Sequence, residues 1–125
     1  MFLNYRMFKT NFGIDSYLTK LPPQCAISLL KFRTTNNRLP VNKLRYSNIQ
    51  RHERKCDKCH LNEVGDEFHY LFTCQFYDKQ RKECIPSYYY KHPNAIKFQQ
   101  LFASSNKKIL LKLKYFVDQI NRSVL

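Results

Sequence analysis

Only two glycines and five prolines occur in 125 residues, too few for a loop-dominated, low-complexity or disordered chain. Acidic side chains are also scarce, nine Asp plus Glu against 22 Lys plus Arg, a formal charge of +13. No apolar run approaches the length of a membrane-spanning helix. Sequence signatures of catalysis are missing too. There is no G-x-S-x-G elbow, no glycine-rich phosphate loop, no H-E-x-x-H and no adjacent aspartate pair, which leaves the common hydrolase, nucleotidyl-transfer and metalloprotease chemistries without their residues. In the opening MFLNYRMFKTNFGID, Arg6 and Lys9 interrupt any apolar signal core. Nor is Ser or Arg enriched there, as a transit peptide would require. These features lead us to expect an intracellular, reducing compartment, nucleus or cytoplasm.

What is present is a cysteine pattern. Five cysteines are an odd number for a disulfide framework, and a reducing compartment favours metal-ligating thiols. Cys56, Cys59, His69 and Cys74 follow the spacing C-x2-C-x9-H-x4-C. Two residues between Cys56 and Cys59 let both sulfurs turn toward one point, and a matched His/Cys pair follows at the usual distance. Three thiols and one imidazole complete a tetrahedral shell with no position left for water. We therefore expect one structural Zn2+ and no metal-centred catalysis. The competing reading, a redox C-x-x-C pair, needs a βαβ context that is absent. His60 adjoins Cys59 and is a poorer ligand than His69, because adjacent ligands strain a tetrahedral site. Cys25 and Cys84 are left over and read as small buried or half-buried hydrophobes.

The charge is uneven. Residues 31 to 58 carry nine basic side chains against Glu53 and Asp57, residues 59 to 78 carry four acids and no Lys or Arg, and residues 79 to 125 return to ten basic against two acidic. A basic arm thus leads into the metal module, an acidic hairpin follows, and a basic tail closes the chain. Arg33, Arg38, Lys43, Arg45, Arg51, Arg54 and Lys55 are the expected nucleic-acid contacts, since guanidinium and ammonium groups neutralise phosphates. A solvated charged face is the plainer alternative.

Aromatics make up 15% of the chain, enough for a core. The pattern predicts a mainly α, small helical domain around a CCHC zinc knuckle, as a single domain over 1–125: a helical, basic arm (1–55), the zinc module (56–74) and a helical, basic tail (75–125). Pro22 and Pro23 should end one helix and open the next, Gln24 to Arg33, with Ile27, Leu30 and Lys31 at helical spacing. Leu39-Pro40-Val41 reads as extended chain after an Asn36-Asn37 turn. From Asp66 a helix with an apolar face of Phe68, Leu71 and Phe72 is expected, its N-terminus favoured by Asp66 and Glu67. Cys74 lies five residues after His69, about 500° of α-helical rotation, so this helix should end or tighten to bring the sulfur round. Tyr77 to Cys84 reads as helix. Of Tyr88, Tyr89 and Tyr90, two should pack and one face outward. A last helix, Lys107 to Arg122, carries Ile109, Leu110, Leu113, Phe116, Val117 and Ile120 on one stripe.

Lys31-Phe32-Arg33-Thr34-Thr35-Asn36-Asn37-Arg38-Leu39-Pro40-Val41, then Cys56 and Cys59, then Gly65-Asp66-Glu67-Phe68-His69-Tyr70-Leu71-Phe72 with Cys74, resembles the C-terminal zinc-binding region of non-LTR (LINE-type) retrotransposon reverse transcriptases. Arg81 suits the same pattern. The resemblance covers residues 24 to 85 best. It implies a module that helps a polymerase hold RNA or DNA, with Cys56, Cys59, His69 and Cys74 as zinc ligands. The polymerase's paired aspartates and endonuclease residues have no counterpart in this chain. The expectation is a non-enzymatic nucleic-acid-binding module without a small-molecule substrate or membrane partner. The alternative is a zinc-stabilised protein–protein interaction module.

Overall fold

A computed structural model describes residues 20–34, 37 and 39–123, apart from the side chains of Arg45 and Tyr46. The expected helix before Pro22, the Asn36 half of the turn and Arg38 lie outside the described residues. The fold is mainly helical. Helix α1 spans Pro23–Arg33 and α2 Pro40–Lys43, followed by 3₁₀ turns at Leu44–Ser47 and Arg51–Glu53. After the metal hairpin comes a wide π-helical turn, His69–Thr73, then a 3₁₀ turn at Gln75–Tyr77 that runs into α3, Asp78–Cys84. Helices α4 (Ser87–Lys91), α5 (Ala95–Phe102) and α6 (Lys107–Ser123) complete the chain. Among the described residues no helix is long and apolar enough to cross a membrane.

Helix α6 organises the core. Leu110, Leu113, Phe116, Val117 and Ile120 are all fully buried, so the stripe legible in the sequence is the packed face, while Lys108 and Lys112 are exposed. Burying each such side chain stabilises the fold by roughly 1.5–3 kcal/mol. Helix α6 packs on α1 and on α3. Asn106 opens it, accepting from the Lys108 N–H at 2.9 Å, and Asn94 opens α5, accepting from the Lys97 N–H at 2.8 Å. Both supply the side-chain oxygen that a helix start requires. Edge-to-face aromatic contacts join Tyr70 to Tyr77 and Tyr77 to Phe116, and Phe68 and Phe72 meet Phe98. The residues around the metal hairpin are thereby tied to the helical core.

Two expectations are corrected. Pro22 and Pro23 open α1 as anticipated, but its buried face is Ala26, Leu29, Phe32 and Arg33, and Ile27 is 49% exposed. Leu39 is extended, yet Pro40 does not continue the extension. Its ring fixes a helical φ at the first helical position, and Pro40–Lys43 turns as a helix. The tyrosine run behaves as expected: Tyr89 and Tyr90 pack on the core and Tyr88 is exposed.

Candidate metal centre

The first two ligands sit on a hairpin. Lys55 and Val64 pair antiparallel, with the Cys56 N–H bound to Glu63 O and the Gly65 N–H to Arg54 O, both at 2.9 Å. Asn62 adopts a left-handed conformation, φ 59°, which asparagine tolerates better than most residues and which turns the loop back. Inside the knuckle the Lys58 N–H donates to Cys56 Sγ at 3.3 Å, a bond that stabilises the thiolate form. Gly65 is required by close approach. A Cβ there would lie 2.9 Å from Pro40 Cγ and 3.1 Å from the Cys56 Cα and N.

The other two ligands come from the segment after Gly65. Asp66 Oδ1 accepts from the His69 N–H at 2.9 Å, so this acid caps the helical start as its position suggested. The turn then widens. The Cys74 N–H bonds to His69 O at 2.8 Å, an i→i+5 bond that sets residue 74 over residue 69. The sequence argument anticipated a helix that ends or tightens. It does end, with Cys74 extended at φ −64°, ψ 121°, but it reaches that point by widening. The extra residue in the turn absorbs the rotation that would have carried Cys74 away from His69.

These two pieces bring Cys56, Cys59, His69 and Cys74 together, with every ligand atom within 4.8 Å of the others. The Cys56 and Cys74 sulfurs are 3.7 Å apart, and Cys59 Sγ is 3.4 Å from His69 Nε2. Metal–thiolate bonds of about 2.3 Å and a metal–imidazole bond of about 2.0–2.1 Å at tetrahedral angles give edges of about 3.8 Å and about 3.6 Å. These two separations match such edges, and the cluster could hold a metal ion. Cys56, His69 and Cys74 are buried and Cys59 is half-buried. His60 is exposed and outside the cluster.

The histidine ring is held from its far side by Thr73. Thr73 Oγ1 donates to His69 O at 3.1 Å and lies 2.8 Å from His69 Nδ1. A hydroxyl has one proton, so the oxygen accepts from Nδ1–H when that proton is on the carbonyl. The Nε2 lone pair then faces the sulfurs. Outer partners of this kind fix the ring of a metal-binding histidine. The thiols are polarised as well. Contact with the Cys74 sulfur pulls the Cys56 thiol down, against the opposing effect of burial. The same contact, with burial, pushes Cys74 up. Burial foremost, and then Cys56, pushes the Tyr70 hydroxyl up.

Two buried polar side chains support the site, and neither role was readable from local sequence. Arg81, 2% exposed, donates from Nε to Leu71 O at 2.8 Å and from Nη2 to Tyr70 O at 3.0 Å, while Nη1 meets Asp78 at 2.6 Å. It satisfies carbonyls that the end of the wide turn leaves without helical partners. Burial lowers its guanidinium from the ordinary value, with Asp78 opposing. Glu67, 1% exposed, is not a mere helix-start charge. Its Oε2 accepts from Asn37 Nδ2 at 2.9 Å and Asn42 Nδ2 at 2.7 Å, docking the basic arm onto the ligand-bearing turn.

The basic residues divide. Arg33 is buried, its guanidinium carbon 5.2 Å from the Phe102 ring centroid, so it is removed from the set of expected phosphate contacts. Arg54 is half-buried and donates to Ile49 O and Val41 O, each at 2.9 Å. Arg51 pairs with Asp66 at 3.4 Å. Lys43 and Lys55 are exposed. Arg38 and the Arg45 side chain lie outside the described residues. Cys84 is buried and Cys25 half-buried, in keeping with their reading as small hydrophobes.

Comparison with family models, with curated proteins and with solved structures gives no match. The site itself, a cluster of three cysteines and one histidine able to hold a metal ion, is therefore the firmest basis for a functional reading.

Proposed function

We propose that Cys56, Cys59, His69 and Cys74 hold one structural Zn2+ and that the domain fixed by it is a non-catalytic nucleic-acid-binding module. The observation that carries the reading is the convergence of three sulfurs and one imidazole nitrogen, all within 4.8 Å of one another and two of the pairs at 3.7 and 3.4 Å. Thiolate and imidazole donors in tetrahedral array suit zinc, and four protein ligands leave no coordination position for a substrate. The formal charge of +13 supplies the attraction to a polyanion. Lys43, Lys55 and Lys58, together with Arg38 and Arg45, are the proposed phosphate-binding set. The arrangement of a basic arm, a C-x2-C knuckle and a His/Cys turn supports an origin in the C-terminal region of a LINE-type reverse transcriptase.

Anisotropy of labelled RNA and DNA strands across a salt series tests this. About two to five phosphate contacts should cost about 10-fold to about 500-fold in affinity between about 50 and 200 mM salt. Absence of binding at low salt would refute it. The second reading, a protein-interaction module, draws support from the three arginines of the arm that are engaged within the fold, Arg33, Arg51 and Arg54.

A further inference from the structure

Where α3 runs into α4, beside the start of α6, lies an open groove of about 460 Å3. Its floor is apolar, formed by Ile85, Pro86, Ile109 and Leu111, and its rim carries Lys82, Lys108 and Lys112 against one acid, Glu83. The three lysines are exposed, and Leu111 keeps 39% of its surface in solvent. A phosphate backbone would meet the lysines but would cover the apolar floor without gain, since burying apolar surface stabilises a complex only against an apolar partner. The chain's own residues 1–19 carry Arg6 and Lys9 against Asp15, the wrong sign for this rim.

We infer that this groove docks an acidic, aliphatic segment of a partner protein, its carboxylates on Lys82, Lys108 and Lys112 and its apolar side chains on Ile85, Pro86 and Leu111. The site uses none of the residues proposed to contact nucleic acid, so it stands or falls separately from that reading. Apolar contact at the centre with a charged rim is the ordinary anatomy of such an interface.

The test uses the metal-loaded full chain and three labelled probes: a peptide of repeated Glu-Leu-Leu-Glu units, its counterpart with Ser in place of Leu, and a poly(dT) strand. The Leu peptide should bind at least about 10-fold more tightly than the Ser peptide, because only it fills the floor. Lys82→Glu/Lys108→Glu/Lys112→Glu should weaken it by about 10-fold or more, since three rim attractions become repulsions. Leu111→Asp, a single change at an exposed position, should weaken it as well. Amide shifts in the unaltered protein should map to residues 82–86 and 108–112, which keeps the test valid should the triple variant misfold. Equal binding of both peptides, no peptide binding, or shifts elsewhere would overturn the inference. So would poly(dT) shifting those same amides while the Leu peptide does not, which would assign the face to nucleic acid.

Discussion

Replacing Arg81 by methionine removes the donors that serve the Tyr70 and Leu71 carbonyls while keeping much of the buried volume. A buried acceptor left without a partner costs about 1–3 kcal/mol, so two carbonyls set a loss of about 2–6 kcal/mol. Part is recovered, because methionine does not carry a buried charge whose desolvation already lowers the guanidinium from its ordinary value. The net expectation is a destabilisation of about 3 kcal/mol. Arg81→Lys keeps the charge but can serve one carbonyl at a time, so about half that loss is expected. Both carbonyls lie between His69 and Cys74, and loosening this turn should also lower metal affinity by about 10-fold or more. Denaturant unfolding of the metal-loaded protein, with a competing chelator titration, measures both effects. A methionine variant within about 0.5 kcal/mol of the parent, with unchanged metal affinity, would refute the role given to Arg81.

Gly65→Ala should destabilise by about 1–3 kcal/mol, since the new Cβ meets Pro40 and the Cys56 backbone at 2.9–3.1 Å with little room to yield; thermal melting of the metal-loaded variant checks it. Thr73→Val keeps shape but removes the oxygen beside Nδ1, so metal affinity should fall about 10-fold to 100-fold, read by competition with a chromophoric chelator. Metal removal should collapse the hairpin and wide turn while part of the helical signal survives in α6, because binding free energy on the order of 10 kcal/mol is folding free energy in such sites; far-UV circular dichroism before and after chelation decides. Lys43→Glu/Arg45→Glu/Lys55→Glu should reduce nucleic-acid affinity far more than Lys107→Glu/Lys108→Glu/Lys112→Glu, and equal losses in anisotropy titrations would leave only diffuse electrostatics.

The Cys/His cluster was legible because C-x2-C-x9-H-x4-C is a spacing constraint that survives without knowledge of the fold, and the structure gathers those four side chains. The packed face of α6 was legible because five buried apolar residues repeat at helical spacing. Other features depend on partners distant in sequence. Arg33 reads as one more charge in a basic arm, yet it lies over Phe102, on a helix some seventy residues away. Arg81 and Glu67 look like surface charges in a charged helix and a helix start, and only the folded chain reveals the carbonyls and asparagines they serve. The wide turn was half legible. The five-residue step from His69 to Cys74 demanded a break in α-helical geometry, but the spacing alone did not say whether the turn would tighten or widen. Nucleic-acid contact remains a proposal built on charge, and the folded chain narrows its residues to those not engaged within the core or the hairpin.

The central claim is that His69, with the three cysteines, closes a zinc site. Metal content of protein purified without chelator, compared among the parent, His69→Ala and His60→Ala, tests it most directly. The account predicts about one zinc per chain in the parent and in His60→Ala, and a sharp loss in His69→Ala. Parent protein free of zinc, or equal retention in His69→Ala and His60→Ala, would contradict it.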